Sequence, residues 1–158
     1  MSKHDRNNLF ERLLRQIHAI IGGNRSRNEK LESVCRLLRE TVSYYDWVGF
    51  YLVDPERDRE LILGPFAGEP TEHTRIRFGV GICGQAAATG KTHLVDDVSK
   101  ESNYLACNIN VKSEIVVPMV KEGVMIGQID IDSHTIGAFS SDDEAFLKQV
   151  CQLVTEIM

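Results

Sequence analysis

Five residues in the second half of this 158-residue chain have the types and spacing to do chemistry. Cys83 lies in Gly79-Val-Gly-Ile-Cys-Gly-Gln and Cys107 in Tyr104-Leu-Ala-Cys-Asn. Glu114 follows in Ser113-Glu-Ile-Val-Val-Pro, and Asp130 and Asp132 in Ile129-Asp-Ile-Asp-Ser. The last two acids occupy positions where a core strand would carry valine or isoleucine. A buried carboxylate is costly unless it is paired or binds something. Acids beside a thiol therefore point to chemistry on a small substrate that is positively charged or needs a proton.

Each of these residues has a specific reason to be considered. Cys107 sits in a polar segment, where a thiol is reachable, and it is the leading nucleophile. Its reactivity requires the thiolate. Cys83 falls at a helix start behind glycines, where amide dipoles favour a thiolate; packing as a small residue against a sheet is the competing reading. Cys35 and Cys151 lie on apolar helix faces and read as small buried hydrophobes. Asp130 and Asp132 are two apart on a strand and so share a face. Glu114, on the neighbouring strand of the same hairpin, is within reach of them. Crowded carboxylates raise one another's pKa, and one protonated acid would be a proton donor.

The elements that must position these residues can be read from periodicity. Phe10, Leu13, Leu14, Ile17, Ile20 and Ile21 repeat at helical spacing up to Gly22-Gly23. Leu31, Val34, Cys35, Leu38 and Val42 mark a second helix. Trp47 to Val53 reads as a strand, Leu61-Ile-Leu-Gly-Pro-Phe as the next strand, stopped by Gly64-Pro65, and Thr74 to Phe78 as a half-exposed strand. A short helix is expected at Gln85–Thr89, a short strand at Thr92–Val95 and an irregular cover over Asp96–Ala106. Glu114–Val120 and Val124–Asp132 form a hairpin about Lys121-Glu-Gly, and Ser141-Asp-Asp-Glu reads as a capping box opening a final helix. Short connections predict an α+β (α/β/α) fold around a mostly antiparallel sheet of about six strands. The helices of residues 1–45 and 141–158 would pack on one face. A ligand pocket would lie on the other, under loops and the short helix.

Composition narrows the function. The length predicts one domain spanning 1–158. A net charge of −5 with no basic stripe argues against a nucleic-acid partner. No run of 18 apolar residues or signal-type segment is present, so no membrane association is expected and the expected location is cytoplasmic. Four cysteines without short pairing motifs fit free thiols there. His73, Cys83 and Cys107 include no close ligand pair of the C-x₂-C kind, so no metal is expected. Gly79-x-Gly-x-x-Gly lacks the βαβ context of a dinucleotide site.

Taken in order, Trp47-Val-Gly-Phe-Tyr-Leu, Leu63-Gly-Pro-Phe-Ala-Gly, Gly79-Val-Gly-Ile-Cys-Gly, Ala106-Cys107, Ser113-Glu-Ile-Val-Val-Pro and Ile129-Asp-Ile-Asp-Ser resemble the free methionine-(R)-sulfoxide reductases, which are stand-alone GAF domains. The resemblance implies a GAF fold with no bound cofactor. It implies that Cys107 attacks the sulfoxide sulfur, that a sulfenic acid forms, and that a second cysteine converts it to a disulfide reduced by thioredoxin or another thiol. It also implies that Glu114, Asp130 and Asp132 bind substrate and that Trp47, with Tyr51, walls the pocket beside the substrate methyl group. A homodimer is compatible with it. The family's first cysteine, ten residues before the one in Gly-Ile-Cys-Gly, is His73 here. The resolving thiol is therefore open between Cys83 and an external thiol. A GAF module that binds an amino-acid-like ligand as a sensor is the alternative function. A cyclic-nucleotide site fits poorly, because acids repel phosphate.

Overall fold

The computed structural model describes residues 1–102, 104 and 109–158. Helices α1 (Lys3–Ile21) and α2 (Arg27–Thr41) each begin with a capping box, at Ser2/Asp5 and Ser26/Glu29. Strands β1 (Trp47–Val53), β2 (Glu60–Ala67) and β3 (Arg75–Arg77) follow, then helix α3 (Gly81–Thr89) and strand β4 (His93–Val95). A hairpin of β5 (Ser113–Lys121) and β6 (Val124–Ser133) precedes the last helix, α4 (Ser141–Thr155). All pairings in the sheet are antiparallel, in the order β3-β2-β1-β6-β5-β4. The long hairpin thus joins β1 at the centre of the sheet. Among the described residues, no helix is long and apolar enough to cross a membrane.

Strict alternation along the central strands divides the molecule into two cores. Val48, Phe50, Ile115, Val117, Ile129 and Ile131 face α1, α2 and α4 and build the larger one. Trp47, Tyr51 and Val116 face the opposite way, towards α3, Val98 and Val111. Helices α1, α2 and α4 therefore share one face and α3 covers the other, as the periodicity implies. Cys35 and Cys151 are buried in the helical core. There desolvation holds both thiols up, that of Cys151 to about 12.

Three local expectations need correction. β2 does not stop at Gly64-Pro65 but runs on to Ala67. Gly49 pairs with Phe66 and Tyr51 with Leu63, so two residues, Gly64 and Pro65, oppose the single Phe50. This bulge absorbs a proline that cannot donate to the ladder. Helix α3 begins at Gly81 rather than Gln85. A Cβ on Gly84 would stand 2.5 Å from the Arg77 carbonyl oxygen, so this glycine permits close packing of helix on strand. The third correction is at α4, whose capping box is Ser140 with Asp143, one residue earlier than the sequence suggests. Asp143 is buried and also accepts the hydroxyls of Tyr44 and Tyr45, at 2.7 and 2.8 Å, which selects it over Glu144 as the reciprocal cap.

Among its described residues, the expected cover over 96–106 contains one 3-10 turn, Val98–Lys100, with Val98 buried. Residues 103 and 105–108, which include Cys107, lie outside the described residues.

Candidate active site

The ladder registers assemble the site. Asp132 pairs with Trp47 on β1 and with Glu114 on β5; Asp130 pairs with Gly49 and with Val116. Residues directly opposite across a ladder share a face. Trp47, Tyr51, Glu114, Asp130 and Asp132 therefore line the α3 side of the sheet. All five are buried, Asp130 and Tyr51 completely. Cys83, in the first turn of α3, comes down onto this row: its thiol points at Glu114 Oε1, 3.8 Å away. One donor atom each from Cys83, Glu114 and Asp130 lie within 4.8 Å of one another. A thiol with two carboxylates at this spacing is a donor set for a cation, and His73, considered with Cys83 in the sequence, is not part of it.

Electrostatics at this row are governed by burial. Burial pushes the Asp130 carboxyl above its ordinary value, and the nearby Glu114 and Cys83 side chains only partly offset this. Asp132 is pushed well up, by burial first and by the charge of Asp130 second. Among the described residues, neither Asp130 oxygen has a hydrogen bond of normal geometry, although the Glu114 and Cys83 side chains lie close to it. A fully buried carboxylate with oxygens left over among the described residues can still accept a donor.

The expectation that Cys83 carries a thiolate is overturned. Burial, followed by the charges of Asp130 and Glu114, raises its thiol well above the ordinary range. The amide dipoles of a short helix do not outweigh desolvation among three acids.

The aromatic wall is held at several points. Trp47 stacks on Phe66, with centroids 5.5 Å apart and planes at 18°, and Nε1 donates to the Glu69 carbonyl at 2.9 Å. Tyr51 lies 6.4 Å from the indole and donates its hydroxyl to the His73 carbonyl at 2.8 Å. Position 73 is thus tied to the wall of the site through its backbone.

Gln128 was missed by the sequence reading. It is fully buried two residues before Asp130, on the same face, and its Nε2 donates to the Cys83 carbonyl at 3.1 Å. The signal was present in Gln128-Ile-Asp-Ile-Asp, where polar and apolar residues alternate through a buried strand.

A hollow of about 90 Å³ at the end of the row is lined by Trp47, Asp132, Glu69, Val111, Asp46, Arg39 and His134. A larger one of about 770 Å³ lies among Leu52, Ile62, Pro65, Met125, Ile126 and Lys121 and contains none of the acids or thiols. Volume without convergent polar groups makes no catalytic site, so the acid row is the candidate.

Comparison with known proteins gives a consistent picture. A model of the GAF domain matches residues 24–158. GAF domain-containing protein A of Dictyostelium discoideum is 42% identical over 154 residues, covering 98% of this chain and 95% of that protein. Free methionine-R-sulfoxide reductase of Escherichia coli K12 is 35% identical over 146 residues, covering 92% and 86%. The X-ray structure of free methionine-R-sulfoxide reductase from Neisseria meningitidis in complex with its substrate superposes with a TM-score of 0.91 at 36% identity, covering 99% of this chain and 92% of that one.

Proposed function

Since the chain belongs to the GAF domain family, in its free methionine-R-sulfoxide reductase branch, we propose that it is an oxidoreductase that reduces free methionine-(R)-sulfoxide to methionine. The observation that carries this reading is the fully buried carboxylate of Asp130, left without a well-formed hydrogen bond among the described residues and set with Asp132 and Glu114 beside the Trp47 indole. A free amino acid brings an ammonium group that a buried carboxylate can receive. It also brings a sulfoxide oxygen that must gain a proton. A carboxyl whose pKa is raised by burial is suited to supply such a proton. The indole, stacked on Phe66 next to the acid row, offers an apolar plane for the sulfoxide methyl group.

In the proposed cycle, the Cys107 thiolate attacks the sulfoxide sulfur while an acid of the row gives the sulfoxide oxygen a proton. The hydroxyl then passes to the Cys107 sulfur as its bond to the methionine sulfur and the transient S–S bond break, so methionine leaves with the electron pair and Cys107 remains as a sulfenic acid. A second thiol displaces that oxygen as water and forms a disulfide. A thioredoxin-like dithiol or another thiol then reduces the disulfide, so two thiols are oxidised per sulfoxide reduced. Cys83 is the cysteine on the site face among the described residues, since Cys35 and Cys151 are in the helical core. We assign it the resolving role. Its attack requires loss of its proton, for which Glu114 is the adjacent acceptor.

The test is turnover of free methionine-(R)-sulfoxide with dithiothreitol and, separately, with thioredoxin. The (S) epimer and peptide-bound methionine sulfoxide serve as controls. Turnover of the free (R) epimer above both controls is expected. Equal rates for all three, or none with either reductant, would remove the reading and leave a binding module.

A further inference from the structure

We propose that Gly49 and Gly68 are specificity-determining positions of this site. Their missing side chains are the bed on which the Trp47 indole lies. Gly49 follows Trp47 by two on β1 and points to the same face, opposite Asp130. A Cβ on Gly49 would stand 2.2 Å from Trp47 Cη2, 2.6 Å from Cζ3 and 3.0 Å from Phe66 Cβ. A Cβ on Gly68 would stand 2.6 Å from Trp47 Cδ1 and 3.2 Å from Cγ. Side-chain carbons do not approach so closely. The two glycines touch opposite ends of the indole: Gly49 the six-membered ring, Gly68 the pyrrole edge. Phe66 stacks on the ring and the Glu69 carbonyl fixes its nitrogen.

The consequence is a pinned aromatic plane. An indole lying over Gly49 stands beside Asp130, which pairs with that glycine. Alanine at either position pushes the indole off the strand and away from its Phe66 and Glu69 partners. The plane would then move relative to the acids by a distance comparable to a methyl group. One methyl group in an apolar pocket is worth about ten- to two-hundredfold in discrimination. Gly49 is the cleaner position to test, because Gly68 has φ +133°, which any other residue strains to adopt.

The substrate part of this inference rests on the reductase reading; the indole part does not. Trp47 is the only tryptophan in the chain, so its emission reports the indole alone. In Gly49→Ala we expect a shifted or altered emission and a KM for free methionine sulfoxide raised about tenfold, with a smaller change in kcat. Trp47→Phe removes the ring atoms that clash. Adding Gly49→Ala in that background should change KM by no more than about twofold. Unchanged emission in Gly49→Ala, or an equal KM penalty in both backgrounds, would overturn the proposal. If Gly49→Ala does not fold, Trp47→Phe must restore folding. Failure of the double variant to fold would show that Gly49 serves the backbone against Phe66, and would overturn it too. If the wild type turns over no sulfoxide, the reductase reading falls and the emission and folding arms still decide the indole.

Discussion

Glu114 and Asp132 stand directly opposite one another on β5 and β6, both buried, with Asp130 two pairs along the ladder on the same face. Like charges in cross-strand contact destabilise a sheet. A row of three acids on one buried face therefore weakens the fold unless some of them hold protons.

Asp130→Asn and Asp132→Asn are each expected to lower kcat/KM for free methionine sulfoxide by about a hundredfold, the scale of a lost proton donor. Glu114→Gln should show a defect of the same kind. Steady-state kinetics checks all three; wild-type constants in every variant would place the acids outside the mechanism.

The same acids make stability fall with pH. Asp130 and Asp132 have folded-state pKa values raised above their unfolded ones, so the folded state holds protons that the unfolded state releases. Their contribution is fully favourable below the ordinary aspartate range, at about pH 3.9, and is lost as pH rises through the raised values. Asp132→Asn should melt higher than wild type at pH 7 to 8, with the gap closing towards pH 4. A gap that widens on acidification would mean that Asp132 is ionised and paired in the folded protein.

Cys107→Ser is expected to abolish sulfoxide reduction, because a serine oxygen cannot form the sulfenic intermediate. The thermal melt should match wild type. Turnover near normal in this variant would remove Cys107 from the reaction.

Peptide mapping after one equivalent of methionine sulfoxide is expected to recover a Cys83–Cys107 disulfide. Such a bond requires the two Cα atoms to come within about 7 Å. A stable Cys107 sulfenic acid trapped by dimedone, with Cys83 free, would assign resolution to an external thiol. His73→Cys should raise thioredoxin-dependent turnover, since position 73 is already bound by its carbonyl to Tyr51 in the wall. No gain would separate that position from the redox cycle.

Asp143→Ala should destabilise the fold by about 3 kcal/mol, combining a lost cap with the loss of an acceptor for two tyrosine hydroxyls. KM for the sulfoxide should stay unchanged, because Asp143 lies on the helical face, across the sheet from the acid row. Chemical denaturation measures the first and kinetics the second.

Periodicity in the chain determined a great deal without any coordinates. Leu13, Ile17 and Ile21 place the apolar face of α1 in the helical core, and the alternation through Ile129-Asp130-Ile131-Asp132 sorts two cores and puts both aspartates on one face. These are local signals, set by the 3.6- and 2-residue repeats of the backbone. The bulge at Gly64-Pro65 was not legible, because whether a proline ends a strand depends on what pairs with it. The shift of the capping box to Asp143 was decided by two tyrosines almost a hundred residues away. Cys83 shows the difference most clearly. Its place at a helix start argues for a thiolate, yet the fold buries it against Glu114 and Asp130, and desolvation reverses the direction. Gln128 beneath Cys83, and the glycine bed under Trp47, likewise exist only once β1, β2, β6 and α3 are assembled. Sequence determined which residues could do chemistry. Burial and cross-strand register, which are properties of distant segments brought together, decided their protonation, their neighbours and the shape of the wall beside them.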